Sequence, residues 1–80
     1  MLQEIIDELS QYTDVPPEQI NEDSNLIEDL ELNSFDVLTI VADFEDQYGI
    51  SIPDEQIMEF HTVRDVEEFL EKNKIGRAHV

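Results

Sequence analysis

The sequence predicts a small all-α domain, a four-helix bundle with a long first loop and a short third helix. Three observations carry that expectation. Apolar residues recur at helical spacing in four segments, prolines and a glycine punctuate those segments, and about twenty residues after the first lack the spacing altogether. A chain of 80 residues has room for one domain, and at this size it buries only ~60% of its unfolded surface, so its core is thin.

The first helix follows from Leu2, Ile5, Ile6 and Leu9, with Gln3, Glu4, Asp7 and Glu8 between them, over residues 2 to 12. Pro16 and Pro17 stop it, because the residue before a proline is pushed out of the helical region. The segment from there to about residue 33 carries scattered anchors, Val15, Ile20, Leu26 and Leu30, which should pin it over the core. Loops this long inside compact domains usually have a function. The second helix should run from about Ser34 to Tyr48, with Val37, Ile40, Val41, Phe44 and Tyr48 facing inward and Gly49 as its C′ residue. Ile50 to Ile52 reads as a short extended piece. Pro53 then opens a short third helix marked by Ile57 and Phe60. Thr62 is the candidate N-cap of a fourth helix that buries Val63, Val66, Phe69 and Leu70 and runs out at Asn73. The domain is therefore expected to span residues 1–73. Residues 74–80, which end in Gly76-Arg77-Ala78-His79-Val80, are expected to be a frayed or vector-derived tail outside the fold.

Charge is the strongest global property. There are 21 acids against 4 bases, a formal net charge of -17, and Arg64, Lys72, Lys74 and Arg77 all lie near the C-terminus. Such a surface repels nucleic acid and anionic membranes and attracts basic protein surfaces. The absence of cysteine excludes disulfides, a thiolate nucleophile and zinc-finger spacing. No apolar run approaches the ~20 residues of a membrane span, and the N-terminus lacks a basic signal-like region, so a cytoplasmic, monomeric, soluble chain is expected.

Chemistry is sparse. His61 and His79 stand singly, without a second ligand at helical spacing. Asn21 to Leu32 superficially suggests a calcium loop but lacks its central glycine and alternating ligands, so no metal site is expected. Carboxylates have no partner base, and two glycines cannot build a phosphate cradle. Catalysis is not expected. What stands out is a doubled cap. Asn33, with Asp36 three residues on, can cap the second helix, and so can Ser34. If Asn33 caps, the Ser34 hydroxyl is released at a helix N-terminus, where unsatisfied N–H groups and the helix dipole stabilise an anion. If Ser34 caps, it has no further role. Local chemistry leaves both open.

At this point the chain resembles the acyl carrier proteins. The likeness rests on size, acidity, helix order and the run Asp29-Leu30-Glu31-Leu32-Asn33-Ser34-Phe35-Asp36, which is similar to the family's attachment motif. Ile50-Ser51-Ile52-Pro53-Asp54-Glu55 is similar to the family's passage into its third helix, and Thr62-Val63 to the start of its fourth. The resemblance covers residues 1 to about 72 and implies that Ser34 carries 4′-phosphopantetheine, taken from coenzyme A, through a phosphodiester. A chain without cysteine must import its thiol on such an arm. The implied role is to hold acyl thioesters for fatty-acid, polyketide or related biosynthetic enzymes, after loading by a phosphopantetheinyl transferase.

Ile40, Phe44, Ile52, Ile57 and Phe60 are candidates for sheltering the acyl chain, with plain core packing as the alternative. Phe35, Leu38 and Ala42 form an apolar strip beside Ser34, bordered by Asp36, Asp43, Glu45 and Asp46, and are candidates for contacting basic partner surfaces. Three residues depart from the family's usual pattern: Glu31 for glycine, Asn33 for aspartate and Phe35 for leucine. They leave room for a specialised carrier of a dedicated pathway, for example of the D-alanyl type. An unmodified acidic helical adaptor is the alternative outside the carrier class, and a small carboxylate enzyme a further one.

Overall fold

The computed structural model describes the backbone of residues 1–78 and the side chains of residues 1–73. Four α-helices follow in order: α1 (Leu2–Ser10), α2 (Ser34–Tyr48), α3 (Asp54–Ile57) and α4 (Val63–Ala78). A single 3₁₀ turn, Pro17–Gln19, interrupts the first loop. The all-α architecture is as the sequence predicts, and no strand forms among the described residues. None of the helices is long and apolar enough to cross a membrane.

α1 buries Ile5, Ile6 and Leu9 and packs against α4. It ends two residues before the expected boundary, where Tyr12 N–H and Thr13 N–H turn back to the Leu9 carbonyl. α2 buries Ile40, Val41 and Phe44 along its inner stripe, and Gly49 closes it at φ 64° with its N–H on the Glu45 carbonyl. A left-handed residue there is what glycine supplies without a Cβ clash. α3 is a single turn entered from extended Pro53. The start of α4 is capped from both sides. Thr62 Oγ1 accepts the Asp65 N–H at 3.4 Å, and Asp65 Oδ2 accepts the Thr62 and His61 N–H groups at 3.1 and 2.9 Å. Its far end departs from expectation: the backbone stays helical to Ala78 rather than stopping at Asn73. Backbone hydrogen bonding can carry a helix past its last apolar residue, so apolar periodicity does not mark this end. The expected tail side chains at 74–78, and His79 and Val80 entirely, lie outside the described residues.

The long loop is part of the core. Ile20, Leu26, Leu30 and Leu32 are all buried, while Val15 is half-buried against them. Asn25 Oδ1 accepts the Ile27 and Glu28 N–H groups, and Asp29 Oδ2 accepts the Asn25 N–H, so short polar side chains organise the turns. Backbone bonds then stitch the loop to the start of α4: Leu26 N–H to the His61 carbonyl, Val63 N–H to Ser24, and Arg64 N–H to Glu22. The loop delivers the chain to the N-terminus of α2 from a fixed direction.

Candidate functional site

Leu30 and Leu32 sink into the core on either side of the exposed Glu31, and the backbone turns between them. Glu31 takes that turn at φ 56°, a left-handed conformation that disfavours residues with a Cβ. This is the position where the resembled family usually has glycine. Asn33 then leaves the loop extended, at φ -103° and ψ 177°, as an N-cap does.

The structure settles which residue caps α2. Asn33 Oδ1 accepts the Asp36 N–H at 2.8 Å, and Asp36 Oδ2 accepts the Asn33 N–H at 3.3 Å, a complete capping box. Ser34 is therefore the first helical residue and is exposed. Its hydroxyl makes no hydrogen bond among the described residues, and neither the Ser34 nor the Phe35 N–H has a partner there. An exposed oxygen nucleophile thus sits beside two free backbone donors at the positive end of a four-turn helix. A phosphodiester on this oxygen fits both the space and the charge.

The other three serines offer nothing comparable. Ser10 Oγ donates to the Ile6 carbonyl at 2.7 Å, and Ser24 is buried and accepts the Asn21 N–H at 3.0 Å. Ser51 is exposed but lies in the connection before Pro53, outside any helix, and the α3 that follows is a single turn.

The candidate partner residues divide. Phe35 is 80% exposed and Leu38 49%, and Ala42 is exposed on the same face, so the apolar strip exists and begins beside Ser34. Its bordering acids are not equivalent. Asp36 is committed to the capping box. Asp43 Oδ2 accepts the Tyr12 hydroxyl at 2.9 Å, and Glu45 Oε2 accepts the Ile52 N–H at 2.7 Å. Asp46 alone of the four is exposed and makes no hydrogen bond or ion pair among the described residues. The sequence could not make this distinction, because all four lie at acceptable helical offsets and their partners come from other elements. It also gave no reason to single out Met58, 78% exposed after α3, or Ile27, half exposed in the loop.

Of the five acyl-shelter candidates, Ile40, Phe44 and Phe60 line one apolar cavity with Leu9, Leu26, Leu32, Val37, Val41 and Val66. Ile52 is buried elsewhere in the core, and Ile57 is only half-buried. The void amounts to ≈ 10 Å³, at the lower limit of room for one water. Five of its walls, Leu9, Leu26, Leu32, Phe60 and Val66, come from outside α2 and α3. No group of three or more His, Cys, Asp or Glu is placed to hold a metal among the described residues.

Comparison with known proteins agrees with this geometry. The family model for the phosphopantetheine attachment site matches residues 3–70. The acyl carrier protein of Wolinella succinogenes is 42% identical over 60 residues, which cover 75% of this chain and 79% of that one. The meromycolate extension acyl carrier protein of Mycolicibacterium aurum is 34% identical over 71 residues, covering 89% of this chain and 70% of its relative. A solved structure of the acyl carrier protein from Enterococcus faecalis superposes with a TM-score of 0.79 at 28% identity, over 90% of this chain and 91% of that chain. A family match across most of the length, with relatives above 30% identity, places this chain in the acyl carrier protein family, whose members are carriers rather than catalysts and work through a covalently attached 4′-phosphopantetheine.

Proposed function

We propose that Ser34 is the attachment residue and that the chain carries acyl groups of the fatty-acid type. The observation that supports it best is the completed Asn33–Asp36 capping box, which frees an exposed Ser34 hydroxyl at the N-terminus of α2. When bound, the arm supplies the thiol that this cysteine-free chain lacks. The chain's own residues do the rest. Ser34 Oγ provides the ester oxygen, and the Ser34 and Phe35 N–H groups face the anionic linkage with favourable electrostatics, worth ~0.3–1 kcal/mol at an exposed helix end.

The apolar cavity behind α2 is the proposed shelter for the acyl chain. Its present volume holds no chain, so α2 must move outward to admit one. Each sheltered methylene contributes ~0.8 kcal/mol, so a chain of several carbons can offset a modest separation of helices. Partners of the family are a transferase and acyl-handling enzymes. Here they are proposed to approach the Phe35–Leu38–Ala42 strip with a basic surface, in the cytoplasm and with the carrier as a monomer. The exposed Phe35 and the left-handed Glu31 favour a second, narrower reading, a specialised carrier with dedicated partners.

The test is intact mass after incubation with coenzyme A and a phosphopantetheinyl transferase. One phosphopantetheine should be added, mapped by fragmentation to Ser34, and absent in Ser34→Ala. Addition that persists in Ser34→Ala, or that maps to Ser10, Ser24 or Ser51, rejects the assignment.

A further inference from the structure

α1 and α2 meet through a polar cluster that the carrier role does not use. Glu8 is enclosed, 6% exposed, within an otherwise apolar face of α1. Gln47 Nε2 donates to its Oε1 at 3.2 Å, but its Oε2 is buried and meets no donor. Across the seam its hydrogen-bonding neighbour is another carboxyl, Asp43, which also accepts the Tyr12 hydroxyl at 2.9 Å. No cation compensates the pair among the described residues. Arg64 is taken up by Glu22 and Asp23 at 3.7 and 2.8 Å, the N-terminus by Glu4 at 3.6 Å, and no group of α4 bears on Glu8. Two adjacent carboxylates with one buried orphan oxygen are a costly arrangement when both are ionised. A single proton on Glu8 removes one charge and turns the orphan oxygen into a donor.

We propose that Glu8 and Asp43 share one proton across the α1–α2 seam, and that losing it loosens the clasp between these helices as pH rises towards neutrality. Glu8 keeps the proton. Burial first, then the hydrogen bond and charge of Asp43, push it from 4.5 up to about 7. The hydrogen bond from Glu8, with that from Tyr12, holds Asp43 below its ordinary value. The stabilisation is therefore complete below about pH 4.5, where folded and unfolded chains both hold the Glu8 proton. It is lost progressively as pH rises to about 7, because the unfolded chain has already released its proton and the folded one has not. The clasp borders the apolar cavity, since Leu9 follows Glu8 and Phe44 follows Asp43 in the chain and both are cavity walls. The proposal stands whether or not Ser34 is the modified residue.

The experiment measures the thermal midpoint of the unmodified protein from pH 5 to pH 7.5 at constant ionic strength. Glu8→Gln is the comparison, because its neutral amide donates to Asp43 as the protonated acid does. The wild-type midpoint should fall relative to Glu8→Gln, opening a gap of about 5 °C or more by pH 7.5. Parallel curves overturn the proposal. Glu67 is the competing titration, since its hydrogen bond to Glu22 and its burial push it to about 7 as well. Glu67→Gln should leave the Glu8-dependent gap unchanged, and a gap that vanishes in that background also overturns the proposal. Site-resolved carbon-13 titration of the wild-type Glu8 carboxyl gives a readout free of any variant. A midpoint between ~6 and ~8 supports the shared proton, whereas one near the ordinary ~4.3 rejects it.

Discussion

Glu31 shows how one residue can bear the cost of positioning a site. Its left-handed backbone lies between the buried Leu30 and Leu32 and turns the chain three residues before α2. A residue with a Cβ costs ~1–2 kcal/mol in that region, and the exposed Glu31 side chain makes no hydrogen bond or ion pair among the described residues to offset it. Glycine relieves the clash but adds freedom to the unfolded chain, leaving a net gain of about 0.5–1 kcal/mol. Glu31→Gly should therefore raise the thermal midpoint by roughly 2–8 °C. Glu31→Gln removes the same charge without changing the backbone and should account for little of that rise. A lower midpoint in Glu31→Gly, or an equal rise in Glu31→Gln, would show that strain is not the cause.

At the scale of elements, what was legible in the sequence was whatever depends on local chemistry. The stripe Val37, Ile40, Val41, Phe44 and Tyr48, together with Gly49, marks α2 from beginning to end, and the structure places both boundaries as expected. Choosing between Asn33 and Ser34 as its cap was not possible locally, because either side chain can accept the N–H. The two hydrogen bonds between Asn33 and Asp36 in the folded chain decide it, with the chain arriving from a buried Leu32. Spacing alone places Glu8 on a polar face for the same reason: its partners, Gln47 and Asp43, come from α2. The acids beside the strip were likewise indistinguishable until their partners were seen. Asp46 is thus the informative position for steering, since Asp36→Lys would also break the capping box. Asp46→Lys should slow loading by a transferase several-fold at low salt through the association rate, with the difference shrinking as salt rises. Leu38→Ala should act at short range, raising dissociation by roughly 5- to 30-fold for ~1–2 kcal/mol of lost burial. Unchanged kinetics in both variants, with Ser34 still modified, would move the docking surface off α2.

For the whole molecule, the governing quantity is a net charge of -17 on a body with a radius of gyration of 12.0 Å. Ion pairing does little against it. The pairs among the described residues engage one arginine and the N-terminus, with Glu22, Asp23 and Glu4 as partners, and surface pairs contribute only ~0–1 kcal/mol each. Hydrogen bonding to N–H groups takes up Asp36, Glu45 and Asp65 locally but cancels no charge. At 0.01 M salt the Debye length is ~30 Å, so acids on opposite sides of the molecule repel one another; at 0.15 M it is ~8 Å, and only neighbours do. The unfolded chain spreads the same charge over a larger volume and gains less from screening. Sodium chloride should therefore stabilise this protein, raising its thermal midpoint by several degrees between about 0.01 and 0.2 M. The measurement is made at one fixed pH on Glu8→Gln as well as on the wild type, so that screening is not confused with protonation of Glu8. A midpoint that is flat over that interval would mean that long-range repulsion does not limit the fold, and a falling one would mean that the few ion pairs outweigh it.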